Sequence, residues 1–169
     1  LYGFNPSITY YKKGNYMKLK YVLGMAIVAT TTTVCASTDE HQHFAGVFVG
    51  ATSIDGETDF SYGLEYEYKF SKLWGAGVVF EKTDDAHHGD GIKVMLASAY
   101  IHPWKELRLG AGFGQEKVGG SYSHKEDLVR ISVSYDFHVA GIGIAPTIAA
   151  DFVDGETATV FGVAFIKSF

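Results

Sequence analysis

The chain has 169 residues, 47% of them apolar and 15% aromatic, with 20 Gly, 3 Pro and a formal charge of −5. That length predicts one domain, and the acidic balance argues against nucleic-acid binding. Abundant glycine and aromatics with few prolines fit many short strands and tight turns, and exclude a disordered chain or a helical membrane protein.

The N-terminal segment reads as a leader. Met17-Lys18-Leu19-Lys20 is a short basic region, Tyr21 to Ala29 an apolar run, and Val34-Cys35-Ala36 a cleavage site that makes Ser37 the first mature residue. The apolar run is shorter than the ~20 residues of a spanning helix. Lipidation at Cys35 would require a small residue before it and Leu three before it, where Val34 and Thr32 stand. Residues 1–16 read as an upstream extension or a misplaced start. The predicted organisation is therefore 1–36 as extension plus signal peptide, starting at Met17, and 37–169 as the mature domain. The leader removes Lys12, Lys13, Lys18, Lys20 and the only cysteine, leaving a more acidic domain that no disulfide stabilises.

Eight strands are expected in the mature span. Strand one covers about 44–53 and ends at the turn signal Asp55-Gly56. Strand two is the clearest: Phe60, Tyr62, Leu64, Tyr66, Tyr68 and Phe70 alternate with Ser61, Gly63, Glu65, Glu67, Lys69 and Ser71. Strand three covers 73–83 and strand four 91–102, where both faces are apolar: Val94, Leu96 and Tyr100 on one, Met95, Ala97 and Ala99 on the other. Strand five places Leu107, Leu109, Ala111 and Phe113 against Arg108, Gly110, Gly112 and Gly114. Strand six sets Val129, Ile131, Val133, Tyr135 and Phe137 against Arg130, Ser132, Ser134, Asp136 and His138. Strand seven covers 143–152 and strand eight 158–169, preceded by a second Asp-Gly turn at Asp154-Gly155. The connections alternate: Ser71-Lys72, His102 to Glu106 and Ala140-Gly141 are short, whereas Lys82 to Gly91 and Gln115 to Asp127 are longer.

Period two alone does not say which face points outward, since a soluble lipocalin-like barrel alternates with the opposite sense. Two features decide. The polar face is rich in glycine (Gly63, Gly75, Gly77, Gly110, Gly112, Gly114), as a narrow eight-stranded interior requires. Aromatics (Tyr68, Phe70, Trp74, Trp104, Phe137, Phe169) collect near the turn ends of the apolar face, as at a membrane interface.

The last strand adds a third feature. Phe161, Val163, Phe165 and the terminal Phe169 form one apolar stripe, although Lys167 interrupts it. With the leader and the alternation, this terminal strand resembles the eight-stranded bacterial outer-membrane β-barrels typified by outer membrane protein X and the transmembrane domain of outer membrane protein A. The resemblance covers essentially the whole mature span. It implies an all-β, eight-stranded antiparallel up-and-down transmembrane barrel with a polar, glycine-rich, charge-paired lumen. It also implies Phe161, Val163, Phe165 and Phe169 as the signal read by the barrel-assembly machinery, contact with outer-membrane lipid and lipopolysaccharide, periplasmic termini, extracellular longer loops and a monomer.

The polar face carries the candidate chemistry: Glu65, Glu67, Lys69, Glu81, Lys93, Arg108, Glu116, Arg130, Asp136 and Asp151. Carboxylate clusters serve acid–base catalysis or ion paths, but in a narrow lumen they must pair, because an isolated buried charge is costly. A charge-paired plug is therefore expected, with Arg108 and Arg130 as partners for Glu65 and Glu67. His87-His88 among Asp84, Asp85 and Asp90 reads as a solvated loop, as do His41 and His43 near the mature N-terminus. No cofactor is expected. The lipid A deacylase type of barrel enzyme needs a Ser two residues after its His, and no His here has one. The palmitoyltransferase type needs His, Asp and Ser near the outer surface, which Ser121, Ser123, His124 and Asp127 supply only with loose spacing. A non-enzymatic structural or surface-interaction role is predicted, with a loop-binding surface protein, a narrow pore and a lipid-modifying enzyme as alternatives.

Overall fold

The computed structural model describes residues 42–84, 91–120 and 123–169. The expected signal peptide, the His87-His88 pair, His41 and Ser121 lie outside them. The strands are β1 (His43–Ile54), β2 (Glu57–Lys69), β3 (Trp74–Thr83), β4 (Ile92–Ile101), β5 (Leu107–Val118), β6 (His124–Tyr135), β7 (Phe137–Val139), β8 (Ile142–Val153) and β9 (Glu156–Ser168). β6 and β7 share one register on β8, with Ser134 opposite Thr147 and Phe137 opposite Ile144, so they are one barrel strand interrupted at Asp136. All pairings are antiparallel and join neighbours, and β1 pairs with β9 to close the ring of eight. Closure leaves no open edge.

The register is staggered. A path perpendicular to the strands runs from His43 through Tyr68, Ala76, Ala99, Ala111, Ile131, Ala150 and Thr159, and returns to β1 at Ser53, ten residues on.

Three hairpins turn on a two-residue link with positive φ at both positions: Asp55-Gly56 (49° and 87°), Ala140-Gly141 (52° and 78°) and Asp154-Gly155 (43° and 90°). This is the type I′ turn whose twist suits adjoining strands, and Asp-Gly is its sequence signature. The span Gln115 to Asp127, expected as a loop, is mostly strand. β5 continues to Val118 and β6 begins at His124, because polar residues at the end of a membrane strand keep the ladder without needing an apolar face. One end of the barrel, here the terminal end, carries His43, Trp74 and Phe169; the far end carries Ile54, Thr83, Val118, His124 and Val153.

The wall is inverted relative to a soluble protein. Phe60, Leu64, Phe113 and Ile131 are 53–60% exposed, while Ser61, Glu67, Arg130 and Ser134 on the alternate positions are at most 8% exposed. The six glycines of the polar face all point inward, and at three of them neighbouring backbone fills the space a side chain needs. A Cβ at Gly63 would sit 2.5 Å from the Phe80 carbonyl oxygen; at Gly77 and Gly114 it would collide with the carbonyl oxygens of Tyr66 and Met95. The interior is not polar throughout. Val94, Leu96 and Tyr100 of β4 are the inward set, and Ile92, Val94, Leu96, Val118, Leu128 and Val153 form an apolar cluster towards the far end. A second cluster sets Phe48 against Ala145, Ala149, Val160, Ala164 and Ile166. β4 is ambiguous in sequence because its lumen face lies in the first of these clusters, so both of its faces are apolar.

Candidate functional site

The lumen is crossed by two ion-pair layers, each built on one arginine. Nearer the terminal end, Arg108 enters from the second position of β5. Its Nη2 donates to Glu65 Oε1 at 3.0 Å and Oε2 at 3.2 Å, and its Nη1 donates to Glu67 Oε2 at 3.5 Å. Both glutamates come from β2, two residues apart and thus on one face. The guanidinium also lies over the Tyr100 ring, 5.1 Å from its centroid, a cation–π contact. His102, in the turn after β4, folds back into the barrel and brings Nε2 to 2.6 Å from Glu67 Oε1. Thus both oxygens of Glu67 have partners.

The second layer lies towards the far end. Arg130 Nε and Nη2 form a bidentate pair with Asp151 at 2.6 and 2.7 Å, and Nη1 and Nη2 reach Glu81 at 2.8 and 3.4 Å. β6 and β8 set Arg130 directly opposite Asp151. Glu81 reaches the guanidinium from β3, across the barrel interior, so the layer ties together strands that are not neighbours in the sheet. All three side chains are at most 9% exposed. A cavity of about 40 Å³ between the layers is lined by Glu65, Glu81, Arg108, Arg130, Phe48 and Tyr100, room for about one water molecule. Thr52, Ser61 and Thr83 form a buried hydroxyl chain at 2.7–3.2 Å near the far end.

Most of the expected network faces inward, but it does not assemble as one cluster. Arg108 takes both Glu65 and Glu67; Arg130 takes Glu81 and Asp151 instead. Lys69 faces the terminal mouth with its Nζ 4.2 Å from the centre of the Phe44 ring. Asp136 sits beside Gly143 where β6 meets β7. Its Oδ1 is buried without a hydrogen bond, and Oδ2 lies 3.6 Å from His138 Nε2. Glu116 is 7% exposed and lies opposite Glu126 in the β5–β6 register. It lines a cavity of about 180 Å³ at the far mouth, without an arginine partner. Lys93 is a correction. It is exposed on the outer face, because the inward parity of β4 belongs to Ile92, Val94 and Leu96. The lumen's polar contacts also include residues that the sequence reading places on strands or in a connection without a polar role: His102, Tyr100 and the Thr52, Ser61 and Thr83 hydroxyl chain. His102 keeps the inward parity of Tyr100, which is the signal that identifies it.

The expected surface set of Ser123, His124 and Asp127 does not converge. His124 lines the far cavity, whereas Asp127, at the opposite parity, is exposed on the outer face. Phe161, Val163 and Phe165 lie on the outer face of β9, and Phe169 closes the seam to β1. Its N–H donates to the His43 carbonyl at 3.0 Å, the His43 N–H donates to its carbonyl at 3.3 Å, and the two rings stack with centroids 5.7 Å apart. Tyr68, Phe70, Trp74, Trp104 and Phe137 are likewise 39–69% exposed around the terminal end.

No protein-family model and no curated protein matches the chain. Solved structures do. The crystal structure of the attachment invasion locus protein of Yersinia pestis covers 78% of this chain and 100% of its own, at 14% identity and TM-score 0.55. Neisserial surface protein A covers 75% of this chain and 96% of its own at 9% identity, and the N-terminal β-barrel domain of Pseudomonas aeruginosa OprF covers 75% and 99% at 12% identity. Both have TM-score 0.53. The chain thus has the fold of the outer-membrane barrels that the terminal strand resembles.

Proposed function

We propose that this chain is a non-enzymatic outer-membrane barrel with a closed lumen, serving the envelope structurally or through surface contacts. The observation that carries the reading is the inverted wall. Large apolar side chains cover the middle of the outer face, and the charges of the two arginine layers are buried inside. Hydrocarbon is the solvent in which that wall is stable, because a closed ladder leaves no backbone group unpaired there. Closure of the lumen is supported by the Arg108 and Arg130 layers, which fill it with paired charges and leave a space of about 40 Å³ between them. A non-catalytic role is supported by the pairing of the central inward charges, since each arginine is held by two carboxylates, and by His124 and Asp127 facing opposite sides of β6. In this reading the barrel is monomeric, its termini are periplasmic, its longer connections are extracellular, and the assembly machinery recognises Phe161, Val163, Phe165 and Phe169.

Cell fractionation combined with gel mobility before and after boiling tests the membrane branch. The mature chain should sediment with the outer membrane and change mobility on heating; recovery as a soluble periplasmic protein would overturn it. Planar-bilayer recording tests closure. Silence is expected, and steady unit conductance from the purified barrel would replace the plug with a pore.

A further inference from the structure

The outer face carries a charged feature that the closed lumen does not use. Across adjacent strands Lys82 lies opposite Lys93, Lys93 opposite Lys117, and Lys117 opposite Lys125. All four point outward, each one position inside the far end of its strand. Strands are ~4.8 Å apart, so the stems leave the wall within roughly 15 Å of one another. Like charges directly opposite one another destabilise a sheet. Lys82 is relieved by its ion pair with Asp84 and by the Tyr62 ring, 5.7 Å away. Lys93, Lys117 and Lys125 are exposed and make no ion pair among the described residues. Asp84 and Asp127 share the outer face, so among the described residues of β3 to β6 and their ends four lysines meet two carboxylates and the row stays cationic.

The row also has a defined depth. Two to four residues towards the middle of the barrel the same face becomes apolar, with Phe80, Met95, Phe113 and Val129 at 46–60% exposure. The ammonium groups therefore stand at the boundary between the apolar band and water, the depth of lipid headgroups. A soluble polyanion would have to displace those headgroups to reach them; a headgroup phosphate is already there.

We propose that Lys93, Lys117 and Lys125, flanked by Lys82, bind the phosphate groups of an anionic lipid in the leaflet at the far end of the barrel. The proposal rests on the membrane reading above and adds the recognition chemistry. Ammonium groups at strand spacing meet phosphate oxygens as charge-assisted hydrogen bonds, and neutralisation by the lipid relieves the repulsion along the row.

The test is lipid retention. Wild-type protein and a Lys93→Gln/Lys117→Gln/Lys125→Gln variant are refolded into phosphatidylcholine vesicles with and without bis-phosphorylated lipid A, extracted in mild detergent, and assayed by mass spectrometry for bound lipid A. Wild type should retain lipid A, and the triple variant should bind it roughly a hundredfold more weakly. Lys105→Gln, at the terminal end, should behave as wild type. A dephosphorylated lipid A arm should show no preference between wild type and variant. Equal retention by wild type and triple variant would overturn the proposal, and so would complete displacement of the lipid by millimolar inorganic phosphate, which would make the row a simple anion site. Failure of wild type to insert into any vesicle would instead sink the membrane reading. Insertion without preference for the phosphorylated lipid would sink the lysine row alone.

Discussion

Arg130 is the group whose loss the lumen should tolerate least. Its guanidinium holds Asp151 by two hydrogen bonds at 2.6 and 2.7 Å and Glu81 by two more at 2.8 and 3.4 Å. The carboxylate side chains are 3% and 4% exposed, so neither reaches bulk water. Arg130→Ala leaves two buried like charges without a counter-ion, a loss of about 3–5 kcal/mol. Truncating Lys117, an exposed lysine with no ion pair among the described residues, should cost about 0–1 kcal/mol in zwitterionic vesicles. Urea unfolding followed by tryptophan fluorescence separates the two. With slopes of about 1–3 kcal/mol per molar urea, Arg130→Ala should lower the midpoint by roughly 1–5 M. The triple variant Arg130→Ala/Glu81→Gln/Asp151→Asn should recover part of that loss, because the penalty lies in the unpaired charges and not in the missing bonds. If Arg130→Ala unfolds at the Lys117→Ala midpoint, or if the triple variant is no more stable than the single one, the Arg130 layer is not a buried charge cluster and the plug argument fails with it.

Other outcomes follow from the same geometry. His102→Ala removes one partner of Glu67 but leaves Arg108, so its destabilisation should be about 1–3 kcal/mol and smaller than that of Arg108→Ala; urea midpoints rank the two. Gly77→Val sets a side chain against the Tyr66 carbonyl, and overpacking of about 1–3 kcal/mol should lower the refolding yield, read as the heat-modifiable band on unboiled gels; an unchanged yield would mean that the wall widens freely. Deleting Phe169 removes the two seam hydrogen bonds to His43 and the stacked ring, so the amount of folded barrel in the outer membrane should fall; an undiminished amount would show the terminal resemblance to be incidental.

The wall was legible in the sequence wherever a strand separates its two solvents by residue type. In β2 every inward position between Ser61 and Lys69 is polar or Gly and every outward one is aromatic or Leu, so strand, face and sense are all fixed by period two. β4 carries no such contrast, because its inward face packs in the apolar cluster and its outward face meets lipid. Composition therefore gives no sign that Lys93 faces outward. The end of β5 is hidden for a related reason: Gln115 and Lys117 lie above the apolar band, where composition no longer distinguishes strand from loop. The inward parity of Glu65, Glu67, Arg108 and Arg130 was legible, but their partners were not. Pairing across the lumen depends on the stagger of all the seams, a sum of pairings that no single strand encodes. His102 shows a subtler gap: it keeps the inward parity of Tyr100 and its N–H continues the ladder to Leu73, but a residue just past the apolar stretch reads as part of a connection.

The stagger of ten residues around the ring has a mechanical consequence. With eight strands it tilts each strand by about 40°, so a strand of 12 residues such as β5 rises roughly 30 Å along the barrel axis, against an apolar band of about 25 Å. A helix in a thinner bilayer simply leans. This wall has no such freedom, because changing the tilt means slipping the seams, and a slip of one residue turns every side chain to the opposite solvent. The height of the barrel is therefore an integer property of its hydrogen-bond ladder. Where bilayer and barrel differ in thickness, it is the surrounding lipid that stretches or compresses to meet the protein.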